Sequence, residues 1–281
     1  MGAFAANSLL CRLALHAPAL IDPGSFASLR IASGAIVLAL IVRLKSGPVA
    51  VVRPDWLAAV ALFAYAALFS FAYRLLSAST GALVLFGAVQ LTMFGAGLRA
   101  GERFVPLGWL GFMLAVGGLV YLVSPGLAAP PTAGAALMIG AGIAWGVYSL
   151  RGRAGNDPLA ATASNFLRAT PFALVASLLL IGQMHADARG VALAVTSGAI
   201  TSGMGYVIWY AALRGLSALS AATVQLSVPP IAALGGVVLL SEAISLRLVV
   251  ASIATLGGIA LVLASRAAKT RSKAESAPTS R

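Results

Sequence analysis

One stretch of this chain occurs twice, and the repetition constrains the fold more than any other feature of the sequence. Residues 74–124 and 214–264 align at a constant offset of 140 without a gap, and the alignment pairs Glu102 with Glu242. Each copy consists of an apolar run, a short charged interruption at the glutamate and a second apolar run. This pattern is typical of two membrane helices joined by a tight loop. The repetition therefore indicates a protein built from two similar halves.

The composition is that of a membrane protein. Apolar residues make up 60% of the chain and charged residues 9%, and the mean hydropathy is +0.98. Soluble domains contain about 25% charged residues. We therefore predict an all-α polytopic membrane protein. Its 281 residues leave room for roughly ten helices of about 20 residues with short loops.

The apolar runs predict five membrane-spanning helices in each half. The first half covers residues 1–124, an uncharged proline-rich loop follows at 125–132, and the second half covers 133–265. The basic tail at 266–281 is low in apolar residues and is predicted to be disordered. Because only about eleven residues precede Arg12, we expect a few upstream residues to complete the first span. The ten predicted spans are 1–20, 23–42, 54–73, 79–98, 105–123, 133–150, 158–182, 190–213, 218–240 and 246–265.

The distribution of basic residues predicts the orientation. With both termini in the cytoplasm, thirteen Lys and Arg residues lie in cytoplasmic segments and three lie in external segments. Cytoplasmic loops of membrane proteins carry such an excess of positive charge. This assignment places Glu242 and Arg247 in cytoplasmic segments and Arg74 and Arg214 outside. Five spans per half insert the second half upside down relative to the first, and such inverted repeats are typical of transporters.

Several short motifs, in the order in which they occur, resemble a known family. They are the run from Ala144 to Ser149, the string from Trp209 to Ala218, an arginine early in the second helix of each half, and the pairs Gly101-Glu102 and Ser241-Glu242 ahead of the last helix of each half. Together they resemble the EamA-type transporters of the drug/metabolite transporter superfamily over essentially the whole chain. The family's usual Trp-Gly-Ser-Asn opening is here Phe4-Ala5-Ala6-Asn7, which retains only the asparagine.

The resemblance implies a ten-helix carrier of the bacterial inner membrane, here with both termini in the cytoplasm. Members of the family usually export amino acids, metabolites or drugs by alternating access through a central cavity between the halves. The expected partners are therefore a small-molecule substrate and the lipid bilayer, and a homodimer is left open.

Two arginines within the predicted helices are candidates for substrate binding. A charge at the centre of a membrane helix costs about 2.5–3.5 kcal/mol on insertion scales. Arg30 lies near the start of the second helix, and Arg168 lies at a similar depth from the opposite side in the seventh. Each is a cation suited to an anionic group such as a carboxylate; the alternative is that each snorkels or binds helix-end carbonyls. Arg12, in the first span, is predicted to snorkel outward.

Amides and aromatic rings complete the candidate site. An amide deep in an apolar run needs a partner, either a substrate or another helix. Aromatic rings with one polar edge suit amphipathic substrates, although such rings also serve in interfacial belts and helix packing. Besides the two arginines, the predicted substrate-binding residues are Asn7, Gln90, Asn165 and Gln225 among the amides, and Trp145, Tyr148, Tyr206, Trp209 and Tyr210 among the aromatics.

The other ionisable residues argue against enzymatic or metal chemistry. The seven acids all lie outside the middle of the predicted helices, and Glu102 and Glu242 are predicted to cap helices or to pair with arginines. One cysteine and two histidines leave little for a metal site. The basic residues are scattered rather than gathered with aromatics, which argues against nucleic-acid binding. We therefore predict no catalytic site, no metal and no cofactor, and not an enzyme.

The sequence thus predicts an inner-membrane secondary transporter that exports a small amphipathic metabolite, amino acid or drug. Two alternatives remain at this point. A non-transporting scaffold or lipid-interacting subunit predicts no polar cavity, whereas inverted repeats with arginine and glutamine inside helices favour one. A nucleotide-sugar-type carrier of the same superfamily is expected to carry more basic residues within its helices.

Overall fold

The protein is described by a computed structural model that covers residues 1–16, 18–46, 54–99, 101, 106–124, 129–152, 157–213, 225 and 227–275. Within these ranges the chain is helical, and its only strand-like pairing is an isolated bridge between Ile21 and Ala186. A 3₁₀ turn (Ile181–Gln183) follows α7, and a π-helical segment (Ser197–Met204) joins α8 directly to α9. The α-helices are α1 (Gly2–Leu15), α2 (Pro23–Ser46), α3 (Trp56–Tyr73), α4 (Ala78–Arg99), α5 (Pro106–Val123), α6 (Thr132–Gly152), α7 (Pro158–Leu179), α8 (Ala188–Thr196), α9 (Gly205–Leu213), α10 (Val228–Leu240) and α11 (Leu246–Glu275).

Seven helices in the described part of the chain are long and apolar enough to cross a membrane. They are α2 to α6, α11, and the continuous rod of α8, the π-helical segment and α9, which spans Ala188–Trp209. α1 and α10 are apolar but shorter, with 14 and 13 residues. The prediction of an all-α, multi-pass membrane protein is confirmed. The count of ten spans and the inverted arrangement stay predictions.

Aspartates mark the starts of four helices. Asp55, Asp157 and Asp187 are the N-cap residues of α3, α7 and α8, and each accepts a hydrogen bond from a backbone N–H two or three residues later. Asp22 accepts one from the N–H of Ser25 at the start of α2. A side-chain acceptor satisfies amides that have no partner within the helix, and its negative charge suits the positive end of the helix dipole. Four of the seven acids thereby act in helix capping.

The last helix extends clearly beyond its predicted end. α11 continues to Glu275, ten residues beyond its predicted end, and includes most of the tail predicted to be disordered. That segment is rich in Ala, Lys and Arg, which are favourable in helices. α10 (Val228–Leu240) has Pro229 and Pro230 in its first turn, where a missing N–H breaks no helical bond. Residues 214–224, which belong to the predicted ninth span, lie outside the described ranges.

The two halves of the chain pack against each other rather than as separate units. α2 packs against α7 and the π-helical segment, and α3 packs against α6. α4 packs against α6 and α10, and α5 packs against α11. Each of these contacts joins a helix before residue 125 to a helix after residue 131. The centre of the bundle is therefore built from residues of both halves.

The structure corrects the side of the membrane assigned to Glu242 and Arg247. Glu242 accepts hydrogen bonds from the N–H of Ala78 at the start of α4, and Arg247 donates to the C=O of Tyr121 near the end of α5. Sequence analysis assigned both of these helix ends to the outside, so its placement of Glu242 and Arg247 in cytoplasmic segments is wrong. If the ten spans alternate strictly, Arg247 lies outside and Arg214 lies in the cytoplasm. Thirteen Lys and Arg residues then still lie in cytoplasmic segments and three in external segments.

Glycines allow α5 and α11 to approach closely. A Cβ added to Gly258 would lie 2.5 Å from the backbone N of Ala115 and 2.5 Å from the backbone O of Gly111. Small residues at such interfaces let membrane helices pack backbone against backbone. The neighbouring Gly257 faces no described atom within 4 Å of an added Cβ. Only the second glycine of this pair therefore lies in the interface.

The substitution Gly258→Ala is expected to destabilise the protein, whereas Gly257→Ala is not. The added methyl group at position 258 meets backbone atoms that cannot rotate away, and overpacking of this kind costs about 1–3 kcal/mol. At position 257 the methyl group meets open space, and alanine is the better helix former. Melting temperatures of the two purified variants in detergent test this; equal values would contradict the packing argument.

Candidate functional site

Six buried polar residues meet at the junction of the two halves, and we call them the polar centre. Asn7 on α1 accepts hydrogen bonds through Oδ1 from Ser197 Oγ at 2.6 Å and from Thr201 Oγ1 at 3.1 Å. Its amide nitrogen lies 3.5 Å from the hydroxyl of Tyr65 on α3, which is at the limit of a hydrogen bond. The polar centre consists of Asn7, Arg30, Tyr65, Ser197, Thr201 and Ser202.

Arg30 is the charged member of the polar centre, and its side chain is only 3% exposed. Its Nε donates to Ser202 Oγ at 3.1 Å, and its Nη2 donates to the Tyr65 hydroxyl at 3.0 Å. The guanidinium lies 5.0 Å from the ring centroids of Tyr65 and of Phe69, within the range of a cation–π interaction. Nη1 is buried and has no hydrogen-bond partner among the described residues. The partners of this cation are therefore neutral groups.

The π-helical segment supplies three of the six residues. It packs so closely on α2 that a Cβ added to Gly198 would lie 2.1 Å from the backbone O of Arg30. This close approach brings the hydroxyls of Ser197, Thr201 and Ser202 within reach of Asn7 and Arg30. π-Helical turns are rare and frequently occur at functional sites. The irregular helix thus lies where α1, α2 and the second half of the chain meet.

Aromatic rings surround the polar centre on one side. Trp145 on α6 is at the centre of these contacts. The distance from its ring centroid is 4.8 Å to that of Tyr65, 5.2 Å to Tyr206, 5.5 Å to Tyr148 and 6.2 Å to Phe4. These separations are typical of favourable aromatic pairs. Phe166 completes the group through its contact with Tyr206. We call Phe4, Tyr65, Trp145, Tyr148, Phe166 and Tyr206 the aromatic cluster.

The structure brings together some of the residues predicted to bind substrate. Asn7 and Arg30 belong to the polar centre, Trp145, Tyr148 and Tyr206 belong to the aromatic cluster, and Trp209 touches that cluster through Phe4 at 6.0 Å. The hydrogen bonds and ring contacts given above do not include the remaining candidates. These are Gln90, Asn165 and Gln225, which are buried, and Arg168. The side chain of Tyr210 lies outside the described part.

Arg168 and Arg30 have different surroundings, although the sequence suggested similar roles. Arg168 is half-buried, and its guanidinium lies 5.9 Å from the ring centroid of Trp56 at the first turn of α3. The Trp56 side chain is itself exposed. Arg168 therefore stacks near one end of the bundle, in agreement with the snorkelling alternative.

Sequence reasoning missed Tyr65 and the three hydroxyl residues of the polar centre. Tyr65 lies in an apolar run that gives no sign of a polar role. The hydroxyl residues do leave a signal, because Thr-Ser-Gly occurs twice, at 196–198 and 201–203. That spacing of five places Ser197 and Ser202 at the i and i+5 positions that a π-helical turn joins.

Two loops pair at one end of the bundle, and we call residues 18–22 and 180–187 the paired loops. The N–H of Asp22 donates to the C=O of His185 at 2.7 Å, and the N–H of Asp187 donates to the C=O of Leu20 at 2.8 Å. Burial raises the pKa of the Asp22 carboxyl, but hydrogen bonds from Ser25, His185 and Gly24 outweigh it and hold the pKa below its ordinary value. These backbone hydrogen bonds join the first half of the chain to the second at this end of the bundle.

A cavity of about 270 Å³ opens beside the paired loops. It is lined by charged, polar and apolar groups from both halves, among them Asp22, Arg74, His185, Phe71 and Leu180. Arg74 is exposed. The cavity therefore lies between the two halves at the paired-loop end of the bundle, and we call it the vestibule.

Arg12 and Glu242 form a buried ion pair at the same end. Arg12 Nε lies 3.1 Å from Glu242 Oε1, and the two side chains are 10% and 9% exposed. Arg12 also donates to the C=O of Tyr73, and Glu242 accepts from the N–H of Ala78. Ser241, in the left-handed conformation with φ of 53°, ends α10 and directs Glu242 back toward α4. The prediction that Arg12 snorkels outward is therefore wrong, because a carboxylate lies within its reach.

The fold and the site define a class of protein: a multi-pass helical membrane protein with a buried polar centre between two interlocked halves. A sequence model of the EamA-like transporter family matches residues 132–264. The chain is 54% identical over 266 residues to the uncharacterized protein PA1977 of Pseudomonas aeruginosa, and the alignment covers 95% of this chain and 92% of that protein. A protein crystal structure shares the fold, with a TM-score of 0.64, 20% identity, and coverage of 94% of this chain and 97% of the other. The chain belongs to the EamA-like transporter family.

Removal of the Glu242 carboxylate is expected to destabilise the protein strongly. Glu242→Ala leaves the Arg12 guanidinium without its counter-ion and the N–H of Ala78 without its acceptor, and breaking a buried pair costs about 3 kcal/mol or more. The control is Asp55→Asn, which removes the ion pair between Asp55 and Arg151. In this pair the Asp55 side chain is 29% exposed and the Arg151 side chain is 45% exposed. Asparagine still caps α3, so that variant is expected to lose less than about 1 kcal/mol. A similar melting temperature for both variants would contradict this ranking.

Proposed function

We propose that this protein is a secondary transporter that exports a small amphipathic metabolite across the bacterial inner membrane by alternating access. Membership of the EamA-like transporter family supports a transport role. The observation that carries the proposal is the polar centre, where Arg30, Asn7 and three hydroxyls are buried between the halves. Ionisable groups within a membrane are costly and mark substrate pathways. Substrate is proposed to bind there, against the aromatic cluster.

The paired loops support a state in which one side of the bundle is closed. They join the halves by backbone hydrogen bonds between 20–22 and 185–187. With both termini in the cytoplasm, as the positive-inside bias favours, this end faces outward. Alternating access then requires these loops to separate so that substrate leaves toward the vestibule. The Arg12–Glu242 pair lies on the same side and adds a second connection between the halves.

The transport proposal predicts opposite outcomes for two matched arginine variants. Arg30→Gln is expected to lower substrate efflux at least about tenfold, because hydrogen bonds to a charged group contribute about 1.5–3 kcal/mol. Arg168→Gln is expected to retain efflux, since Arg168 stacks on Trp56 away from the polar centre. Efflux is measured from cells that express each variant and are loaded with amino acids, organic acids or cationic dyes. An empty-vector strain and immunodetection in the membrane fraction serve as controls.

Equal efflux by the two variants at equal membrane levels would contradict the role of Arg30. Lack of efflux of every loaded compound by the wild-type protein would contradict the transport proposal itself. A conservative variant, Arg30→Lys, separates charge from geometry. A lysine keeps the charge but has no planar fork to bridge Tyr65 and Ser202, so we expect intermediate efflux.

Linking the paired loops is expected to stop transport. Ile21 and Ala186 face each other across an antiparallel bridge, where Cβ atoms lie about 4.5–5.5 Å apart, close to the separation that a disulfide needs. The double variant Ile21→Cys, Ala186→Cys should therefore form a disulfide under oxidation, lose efflux, and recover it with a membrane-permeant reductant. Each single variant is the control, because the natural Cys11 is fully buried. Undiminished efflux in the crosslinked protein would contradict the gating role of the loops.

A further inference from the structure

No described carboxylate pairs with Arg30. Among the described residues the ion pairs are Arg12–Glu242 and Arg151–Asp55. Asp157 and Asp187 cap helices at the ends of the bundle. The buried guanidinium therefore has no carboxylate partner in the part of the chain that the structure describes.

The arrangement around Arg30 leaves one edge of the guanidinium available. Nε and Nη2 are used by Ser202 and Tyr65, whereas Nη1 has no hydrogen-bond partner among the described residues. A buried cation without a charged partner is costly, and an anion that binds it removes this cost. The amide nitrogen of Asn7 is a second donor in the polar centre, since it lies 3.5 Å from the Tyr65 hydroxyl to which Arg30 Nη2 donates.

The number of cations limits the charge of the ligand. Arg12, the other arginine buried in the described part of the chain, is paired with Glu242, and Arg168 stacks on Trp56 outside the polar centre. One cation and a few neutral donors suit a single negative charge, and carboxylates match the planar fork of arginine. A ligand with two or three negative charges would leave the excess charge buried without a partner.

The aromatic cluster determines what the rest of the ligand has to be. Phe4, Trp145 and Tyr206 surround one another with ring centroids 5.2–6.2 Å apart, close to the polar centre. Rings packed in this way favour an apolar or aromatic body. Neither the polar centre nor the aromatic cluster contains a carboxylate that could pair with the ammonium group of a ligand. Asn7 Oδ1, an alternative acceptor for an ammonium, already accepts two hydrogen bonds from hydroxyls. The surroundings therefore favour an acid without an amino group.

We infer that the substrate is a small monocarboxylate with an apolar body, whose carboxylate binds Arg30 and whose body lies against Phe4, Trp145 and Tyr206. This inference rests on the proposed function, because it names the class of molecule carried by the same site. Asn7 orients the carboxylate as a second donor. Arg30 is accordingly both the residue that binds substrate and the one that selects its charge.

The test is a binding titration of the purified protein in lipid nanodiscs, followed by melting temperature and tryptophan fluorescence. The probes are 3-phenylpropanoate, its neutral amide, 3-phenylpropylamine, phenylalanine and phenylsuccinate. We expect saturable stabilisation by 3-phenylpropanoate and at least tenfold weaker binding of the other four. Arg30→Gln should weaken binding of 3-phenylpropanoate at least tenfold and leave the amide unaffected, whereas Arg168→Gln should bind as the wild type does. Arg30→Lys, which keeps the charge, replaces Arg30→Gln if that variant does not fold.

Equal binding of 3-phenylpropanoate and its amide, or unchanged binding by the Arg30 variant, would overturn the inference. Counterflow in proteoliposomes separates this failure from failure of the transport proposal. Exchange of the amine or amide without exchange of the acid would leave the carrier standing and exclude the monocarboxylate. Binding of the acid through Arg30 without exchange of any probe would support the site and contradict transport. Neither binding nor exchange of any probe would contradict both.

Discussion

The structure depends on one constraint, which is that polar groups inside a bilayer have to find partners within the protein. Helices satisfy the backbone, and aspartates satisfy the first turns of α3, α7 and α8. The buried charge of Arg12 is met by Glu242 and by the C=O of Tyr73. Arg247 binds the carbonyls at the end of α5. These contacts lie at the ends of helices, where polar backbone groups are available, so they stabilise the bundle without interrupting its apolar middle.

The polar centre differs because it lies where helices from both halves cross. α2 approaches the π-helical segment so closely at Gly198 that there is no room for a side chain. Three hydroxyl groups of the π-helical segment form hydrogen bonds with Asn7 and Arg30. Because α3 packs on α6 and α2 packs on α7, relative movement of the halves has to change the surroundings of these residues. A site at such a crossing is therefore suited to the alternating access that we propose.

Much of the fold was predictable from the sequence, because apolar runs and aspartate caps are local signals. The bounds of α3 to α6 agree with the predicted spans within two residues. The extension of α11 was not predicted, since polarity was taken as disorder although Ala, Lys and Arg favour helix. The sides of Glu242 and Arg247 were predicted wrongly, although counting the alternating spans corrects them. At the site, Asn7 and Arg30 were predicted because polar residues stand out in apolar runs, whereas Tyr65 does not stand out. The ring contacts of Trp145 depend on packing between halves, which no local pattern encodes.

Three arginines lie within the predicted helices, and the groups that each one contacts indicate whether its charge has a structural or a functional role. Arg12 has a carboxylate and a carbonyl, so its charge is balanced inside the protein. Arg168 has a tryptophan ring near the end of the bundle and remains half-buried, so water or lipid headgroups are within reach of its long side chain. Arg30 is only 3% exposed, and among the described residues its partners are hydroxyl groups and aromatic rings. A stable fold has no need of such a residue, since an apolar side chain at the same place would avoid the cost of burying charge. The anion that we propose as ligand would offset the cost of burying this charge, and for that reason we assign the proposed site to Arg30 rather than to the other two arginines.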